Sequence, residues 1–304
     1  MKYLWNIEFA LIFSAMVIGC GGERDGSTNE TITQKGSDTM VLIAQKWAEE
    51  FGKKNPNVQV TVTGGGSGTG ISSLINGTTQ IANASRPMKE KEREQMMQKN
   101  GSDPVEIVVA KDGISIYIHP DNPVEQLTLA QLKGIYEGTV KNWNEVGGND
   151  ASMILYGREN SSGTYDFFKE HILKKGDFAT ETQTLPGTAG VVNAVSKDVK
   201  GIGYGGAAYS QGIKVLKLAG ADGEGLLPTL ENVTSGKYPL ARDLYFYLEV
   251  EPSGAIKEYI DWILSDEGQK LTRELEYFPI RPLEGDIQAS EGAEEAKDDT
   301  TTVK

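Results

Sequence analysis

The chain has 304 residues, of which 38% are apolar and 24% are charged, the balance of an ordinary soluble globular protein. Its formal net charge of −13 argues against nucleic acid as a partner, because nucleic-acid binding needs a basic face. That charge does not exclude a small anion, since binding depends on the local field. Cys20 is the only cysteine, so neither a disulfide nor a CxxC redox pair can form within the chain.

The first segment, 1–19, has the pattern of a secretory signal peptide. Lys2 gives it a positive start, and the run 9–18 is apolar but too short for a membrane-spanning helix, which needs about 20 residues. A small residue directly before Cys20, at the end of this run, is the pattern that lipoprotein processing recognises. A buried cysteine is the alternative, but the segment after Cys20 is entirely polar. We therefore predict cleavage after residue 19, a lipid on Cys20 and a flexible tether over 20–31.

The next part of the chain alternates predicted strands and helices. A strand ends at Gly36, and the following helix carries an apolar stripe at helical spacing, formed by Met40, Ile43, Ala44, Trp47 and Phe51. After it come a strand over 58–62, a helix that begins near Ile71, a strand over 81–84, a surface helix over 89–99, and strands over 105–110 and 114–118. The last two strands are separated by Asp112 and Gly113, a pair typical of turns.

The alternation continues to the end of the core. The predicted elements are a helix capped by Thr128, a strand over 153–156, a helix marked by Phe167 and Phe168, a glycine-rich strand over 201–205, a strand over 244–250 and a helix over 253–264. This order predicts an α/β fold with mainly parallel sheets, whose ligands bind beyond the carboxyl ends of the strands. Residues 284–304 are acidic and lack aromatic side chains, which predicts a disordered tail.

Two glycine-, serine- and threonine-rich clusters follow predicted strands and open helices. They span 64–70 and 157–164, and each offers backbone N–H groups, hydroxyls and the positive end of a helix to an anion. The second cluster contains Arg158 before Ser162, Gly163 and Thr164. A guanidinium suits a tetrahedral oxyanion because it donates two parallel N–H bonds. Neither cluster matches the phosphate-loop motif of nucleotide-binding proteins, which ends in Gly-Lys-Ser/Thr.

Each candidate also has an ordinary structural explanation. The first cluster, with Ser67 at its centre, is also compatible with a plain turn, and a lone Arg158 is most often a surface ion-pair partner. Ser37 and Thr39, at the start of the first helix, are singly more typical of helix caps. Three donor-rich helix starts in one chain nevertheless favour one shared anion site between two lobes.

Catalysis finds little support in the sequence. His119 precedes a proline in a predicted loop and His171 follows a glutamate on a predicted helix, so both are interpreted as surface residues. No HExxH, GxSxG or DxD motif is present in the 304 residues. We expect a protein that is not an enzyme and holds neither a metal nor a cofactor.

At these residues the chain resembles the phosphate-binding lipoproteins that serve ABC phosphate importers. The resemblance spans roughly 33–282 and rests on an ordered series of motifs: GSDT at 36–39, GGGSGTG at 64–70, ANASR at 82–86, KNWNEVGG at 141–148, RENSSGT at 158–164, GIGY at 201–204, ENVTSGKYPL at 231–240 and YFPI at 277–280.

The resemblance implies a two-lobed periplasmic-binding-protein-like fold of the class II type, with the ligand between the lobes. One lobe would comprise 32–112 plus 243–283, and the other 113–242. The positions that match the family's phosphate contacts are Ser37, Thr39, Ser67, Ser85, Arg158, Ser162, Gly163 and Thr164. The sequence departs from some members at Arg86, where they carry an aspartate that accepts a proton from phosphate. Arg86 is therefore a further candidate contact, and its alternative is a pair with the 89–99 helix, for example with Glu90.

We accordingly expect a receptor that captures inorganic phosphate and delivers it to an ABC permease. It would be extracytoplasmic, in the periplasm or on the outer face of the cell membrane, anchored through Cys20 and monomeric, with no nucleic-acid partner. Sulfate, molybdate or another oxyanion is the alternative ligand. A sensor or adhesion module on the same fold is a different class of function. A phosphatase would need a metal cluster or an activated nucleophile.

Overall fold

The computed structural model describes residues 30–220 and 223–283. The predicted signal peptide, Cys20, the tether up to residue 29 and the acidic tail lie outside these residues. The last two residues of the predicted tether, Glu30 and Thr31, belong instead to the first strand. Within the described ranges, every helix is too short or too polar to cross a bilayer.

The described chain alternates strands and helices as the sequence predicts, but the prediction of mainly parallel sheets is wrong, because five of the ten strand pairings among the described residues are antiparallel. The strands are β1 (Glu30–Gly36), β2 (Val58–Thr63), β3 (Ile81–Ala84), β4 (Val105–Ile118), β5 (Gln126–Thr128), β6 (Ile154–Arg158), β7 (Gln183–Leu185), β8 (Gly201–Gly206), β9 (Lys214–Ala219), β10 (Gly225–Leu226) and β11 (Ala241–Leu248). The helices are α1 (Val41–Lys54), α2 (Ser67–Ile75), α3 (Glu90–Asn100), α4 (Leu129–Tyr136), α5 (Gly163–His171), α6 (Gly187–Val195), α7 (Leu230–Thr234), α8 (Gly254–Leu264) and α9 (Asp266–Glu274).

The strands form two groups that share one long strand. In the first group β1 pairs in parallel with β2 and β3, and β11 lies antiparallel between β3 and β4. In the second group β8 pairs antiparallel with the last residues of β4 and in parallel with β6, which pairs in parallel with β7. The strand order is therefore β2-β1-β3-β11-β4-β8-β6-β7, with β9 paired to β4 and flanked by β5 and β10. Each group has helices against it and the whole is a two-lobed α/β fold.

The predicted turn at Asp112 and Gly113 is wrong, because β4 continues through both residues. Their partners in β11 are Arg242 and Ala241, so this stretch of backbone is held extended by a neighbouring strand. Gly113 is needed for close packing and not for a turn, because a Cβ at this position would lie 2.6 Å from Cβ of Pro228. One strand therefore passes from the first group to the second.

Each group has its own hydrophobic core. The predicted stripe of α1 is buried, and Trp47 packs edge-on against Phe246 of β11 with ring centroids 5.9 Å apart. In the second group Tyr136, Phe168 and Tyr204 form an aromatic cluster with centroid separations of 4.0 to 5.4 Å. Burial of such rings is the main source of stability in each core. The sequence did not predict the helices α6, α7 and α9 or the strands β5, β7, β9 and β10.

Candidate anion-binding site

Three loops that follow parallel strands bring serine hydroxyls together at one edge of the first sheet. Ser37 comes directly after β1, Ser67 opens α2 after β2, and Ser85 comes directly after β3. Ser37 Oγ donates to Ser85 Oγ at 2.9 Å, and the backbone N–H of Ser85 donates to Ser67 Oγ at 3.0 Å. All three side chains are buried. The carboxyl ends of β1, β2 and β3 thus supply the first face of the site.

The backbone before Ser67 can be built only with glycine. Gly66 has φ of +91°, in the region that L side chains rarely adopt, and a Cβ there would lie 2.7 Å from Oγ of Ser161. The loop 64–66 therefore brings the start of α2 against the second group of strands. The Gly68 N–H donates to the carbonyl of Ser161 at 2.9 Å, across the boundary between the two groups.

The second face is the start of α5, after β6. Ser162 is the N-cap, and its Oγ accepts hydrogen bonds from the N–H groups of Thr164 and Tyr165 at 3.2 and 3.3 Å. Gly163 lies against the first face, because a Cβ there would be 2.8 Å from Oγ of Ser85 and closer still to that of Ser67. Thr164 Oγ1 lies 2.9 Å from Thr39 Oγ1. The structure thus brings seven of the predicted positions together: Ser37, Thr39, Ser67, Ser85, Ser162, Gly163 and Thr164.

Arg158, at the end of β6, adds a positive charge beside this cluster. Its side chain is 1% exposed, Nη1 donates to Thr188 Oγ1 at 2.9 Å, and Nη2 donates to Asp38 Oδ2 at 3.1 Å. Nε donates to Glu159 Oε2 at 3.2 Å. Burial opposes ionisation of Glu159, but its hydrogen bond and its proximity to Arg158 lower the pKa of Glu159 below its ordinary value. The guanidinium is thus buried, charged and held in place by side chains from both groups of strands.

Sequence reasoning missed a second arginine, Arg242 on β11. Its Nε and Nη2 donate to Asp112 Oδ2 at 3.0 and 2.7 Å, and Nη1 donates to the Ser85 carbonyl at 3.0 Å. Nη2 also donates to the hydroxyl oxygens of Thr164, at 3.0 Å, and of Thr39, at 3.4 Å. Burial lowers the pKa of Arg242 and the Asp112 carboxylate opposes that shift, so the guanidinium stays charged. The Arg242 guanidinium therefore contacts a hydroxyl from each of the two faces of the site.

Arg86 does not belong to this cluster, so its candidate role as a ligand contact is corrected. Nη1 and Nη2 each donate to a carboxylate oxygen of Glu92 on α3 at 2.8 Å, and Nε donates to Asp166 on α5 at 2.9 Å. The expected alternative, a pair with the charged helix, is the observed one, with Glu92 in place of Glu90. The Arg86 guanidinium pairs with these two carboxylates and not with the hydroxyl cluster, because a bidentate guanidinium–carboxylate pair is strong and geometrically specific.

The histidines lie apart from the site. His171 stacks on Phe167, and the imidazole Nδ1 of His119 accepts the N–H of Asp121 at 3.1 Å. Among residues 30–220 and 223–283, no three His, Cys, Asp or Glu side chains lie close enough together to hold a metal ion.

Comparison with known proteins places this geometry in a family. The PBP superfamily domain, the fold of periplasmic binding proteins, matches residues 21–267, and the chain belongs to that superfamily. Within it, the chain belongs to the family of phosphate-binding proteins: it is 34% identical over 276 residues to phosphate-binding protein PstS of Pseudomonas aeruginosa, which covers 85% of each chain.

Solved structures agree with this assignment. A phosphate ABC transporter substrate-binding protein of Clostridium perfringens, solved with bound phosphate, is 31% identical and superposes with a TM-score of 0.74 over 83% of this chain and 100% of that one. An ABC-type phosphate transport receptor of Vibrio cholerae is 29% identical, with a TM-score of 0.66 over 83% of this chain and 100% of that one.

Proposed function

We propose that this protein is an extracytoplasmic solute-binding protein that captures inorganic phosphate for an ABC-type phosphate importer. The observation that carries the proposal is the convergence of buried hydroxyls from two faces, Ser37, Ser67 and Ser85 on one and Thr164 on the other, beside the Arg158 guanidinium. The phosphate-binding relatives and the neighbour solved with phosphate support the same ligand.

The donors suit a small oxyanion. Hydroxyls and the N–H groups at the starts of α2 and α5 hydrogen-bond to oxygen without adding a counter-charge, and both helix N-termini favour negative charge. Two buried cations adjoin the cluster: Arg242 donates to the Thr164 hydroxyl oxygen, and Arg158 is linked to the loop of Ser37 and Thr39 through Asp38. In a buried site such charge-assisted hydrogen bonds are short and strong. We propose that phosphate is bound by Ser37, Thr39, Ser67, Ser85, Arg158, Ser162, Gly163 and Thr164.

We propose further that binding closes two lobes about a hinge formed by the strands that join them. The lobes would comprise 32–112 plus 243–283, and 113–242. The bonds between Gly68 and Ser161, between Asp38 and Arg158, and between the two threonines Thr39 and Thr164 all cross this boundary. They form only in a closed arrangement, which a permease could recognise as the loaded state.

The cellular setting is part of the same proposal. We infer that a lipid on Cys20 anchors the mature chain to a membrane outside the cytoplasm, that one copy suffices to bind the ligand, and that the protein delivers phosphate without chemically changing it. The signal-like run before Cys20 supports the anchor, and the extracytoplasmic role follows from the importer-associated relatives.

Calorimetric titration with phosphate, sulfate and molybdate tests the ligand. The proposal predicts saturable binding of one phosphate per chain and weaker binding of the other two anions. Tighter binding of sulfate or molybdate would make the protein a receptor for a different oxyanion. Absence of heat with all three, in a folded sample, would favour a sensor or adhesion module instead.

A further inference from the structure

We propose that the ion pair between Arg86 and Asp166 is a latch that joins the two lobes and sets the rate at which bound phosphate is released. The proposal rests on the proposed phosphate binding and on the proposed division into lobes. It assigns a role to Arg86, whose guanidinium is turned toward Glu92 and Asp166 and away from the hydroxyl cluster.

The latch lies beside the site on both lobes. Arg86 directly follows Ser85 of the first face, and Asp166 lies on α5 just after Thr164 of the second face. Arg86 Nε donates to Asp166 Oδ2 at 2.9 Å. Because each partner is attached to the backbone next to a site residue of its own lobe, the bond can form only when the two faces have come together.

Lys89 adds a second cation from the first lobe. It is the N-cap of α3, and its Nζ lies 2.7 Å from the same Oδ2 of Asp166. The Lys89 side chain is 51% exposed, whereas that of Arg86 is 5% exposed. Water therefore screens the lysine contact more than the arginine contact, so Arg86 is the main partner of Asp166 in the latch.

Arg86 is held in place by its own lobe. Nη1 and Nη2 each donate to a carboxylate oxygen of Glu92 at 2.8 Å, and Nη1 also donates to the Pro87 carbonyl at 2.9 Å. These bonds lie within one lobe, so they persist when Asp166 moves away. Opening therefore does not leave the guanidinium buried without a partner, which would be costly. The bond to Asp166 can break and form again with the arginine already oriented.

A cavity of about 750 Å³ borders the pair. Arg86 and Lys89 line it from the first lobe, and Asp166, Phe167 and His171 line it from the second. A cavity of this size admits water, so the side chains of the two lobes are not closely packed there. On this side of the site the ion pair, more than apolar packing, holds the lobes together.

The direction of the effect separates a latch from a general effect of charge. Asp166 is a negative group close to a site for an anion. If it acted only through its charge, neutralising it should strengthen phosphate binding, because like charges repel. A latch predicts the opposite result, faster release and weaker binding.

The test is the release rate of Asp166→Asn, which keeps the shape of the side chain and removes its charge. The protein is loaded with radiolabelled phosphate and chased with unlabelled phosphate in a rapid-filtration experiment. We expect release to be about tenfold faster, with a much smaller change in the association rate, because losing a hydrogen-bonded charge pair acts chiefly on dissociation. Asp166→Glu, which keeps the carboxylate, should release phosphate more slowly than Asp166→Asn. Asp166→Ser replaces Asp166→Asn if that variant does not fold.

Asp177→Asn is the matched control. It also removes a carboxylate from the second lobe, and its partner at 2.9 Å is Lys169, which lines the same cavity. Both members of this pair belong to one lobe, so its loss should leave the release rate unchanged. Without phosphate, Asp166→Asn and Asp177→Asn should both unfold at the temperature of the wild type, because the latch forms only on closure.

Unchanged or slower release in Asp166→Asn would overturn the proposal. An equal acceleration in Asp177→Asn would also overturn it, as would a lower unfolding temperature of Asp166→Asn without phosphate, since the pair would then be a permanent structural contact. These outcomes leave phosphate binding by the wild type intact and concern the latch alone. Failure of the wild type to bind phosphate would overturn the proposed function and this proposal together.

Discussion

Gly163 is the point at which the two faces of the site touch, so adding one methyl group there should obstruct closure. In Gly163→Ala the new Cβ would lie 2.8 Å from Oγ of Ser85 and 3.0 Å from Cβ of Ser67, and closer still to the Ser67 hydroxyl. Real Cβ atoms do not approach oxygen or carbon this closely, so the lobes would have to separate. Overpacking of this kind costs about 1–3 kcal/mol, which corresponds to a phosphate affinity about 5- to 140-fold weaker.

The cost should appear in binding and leave folding unaffected. Residue 163 is the first residue of α5, where alanine is at least as favourable as glycine, so the unfolding temperature without phosphate should not fall. Calorimetry gives the Kd and differential scanning fluorimetry gives the unfolding temperature.

Gly190→Ala is the matched control. It lies on α6 of the same lobe, and its Cβ would meet only ordinary contacts, 3.7 Å from Cβ of Leu185. Its phosphate affinity should equal that of the wild type. An unchanged affinity in Gly163→Ala would refute the inference that this residue closes against Ser67 and Ser85 when phosphate is bound.

Three further predictions follow from the same geometry. Arg158→Ala should weaken phosphate binding by about 2–5 kcal/mol in calorimetry, the cost of losing a buried charge-assisted partner. Its control, Arg281→Ala, removes an exposed pair with Asp266 and should not change the affinity. Equal phosphate affinities for the two variants would show that Arg158 does not belong to the site. Asp112→Ala should lower the free energy of unfolding, measured by urea denaturation, by about 3–5 kcal/mol, because it leaves the Arg242 charge buried and unpaired. A loss below about 1 kcal/mol would show that water or another group compensates that charge. Cys20→Ala should move the protein from the membrane to the soluble fraction, because the two or more acyl chains that stable anchoring needs would be missing; a variant that stays in the membrane pellet would count against lipidation.

The sequence was most informative where the residue pattern and the position of a loop at the sheet edge indicate the same site. The clusters after β2 and β6 were predicted from glycine and hydroxyl spacing, and they meet because the carboxyl ends of neighbouring parallel strands lie on one edge. The apolar stripe of α1 was predicted for a similar reason, since its period of 3.6 residues determines a buried face. Ser85 follows a short strand without a glycine loop, so only the family resemblance indicated it.

The remaining features depend on contacts between distant parts of the chain. Asp112 and Arg242 are 130 residues apart in sequence, and the Asp-Gly pair resembles a turn until β11 lies beside it. The side chain of Arg86 is adjacent to the site in sequence, but Glu92 and Asp166 determine its direction. The bond between Asp38 and Arg158 could not be predicted, because it joins two lobes that meet only in the folded chain.

A crystal structure of the chain grown with phosphate would test the central claim most directly. We predict one phosphate held from both sides, with Ser67 and Ser85 on one lobe and Arg158, Gly163 and Thr164 on the other within hydrogen-bond distance of its oxygens. A phosphate bound by one lobe alone, or outside the cleft while these residues keep the contacts described above, would contradict the account.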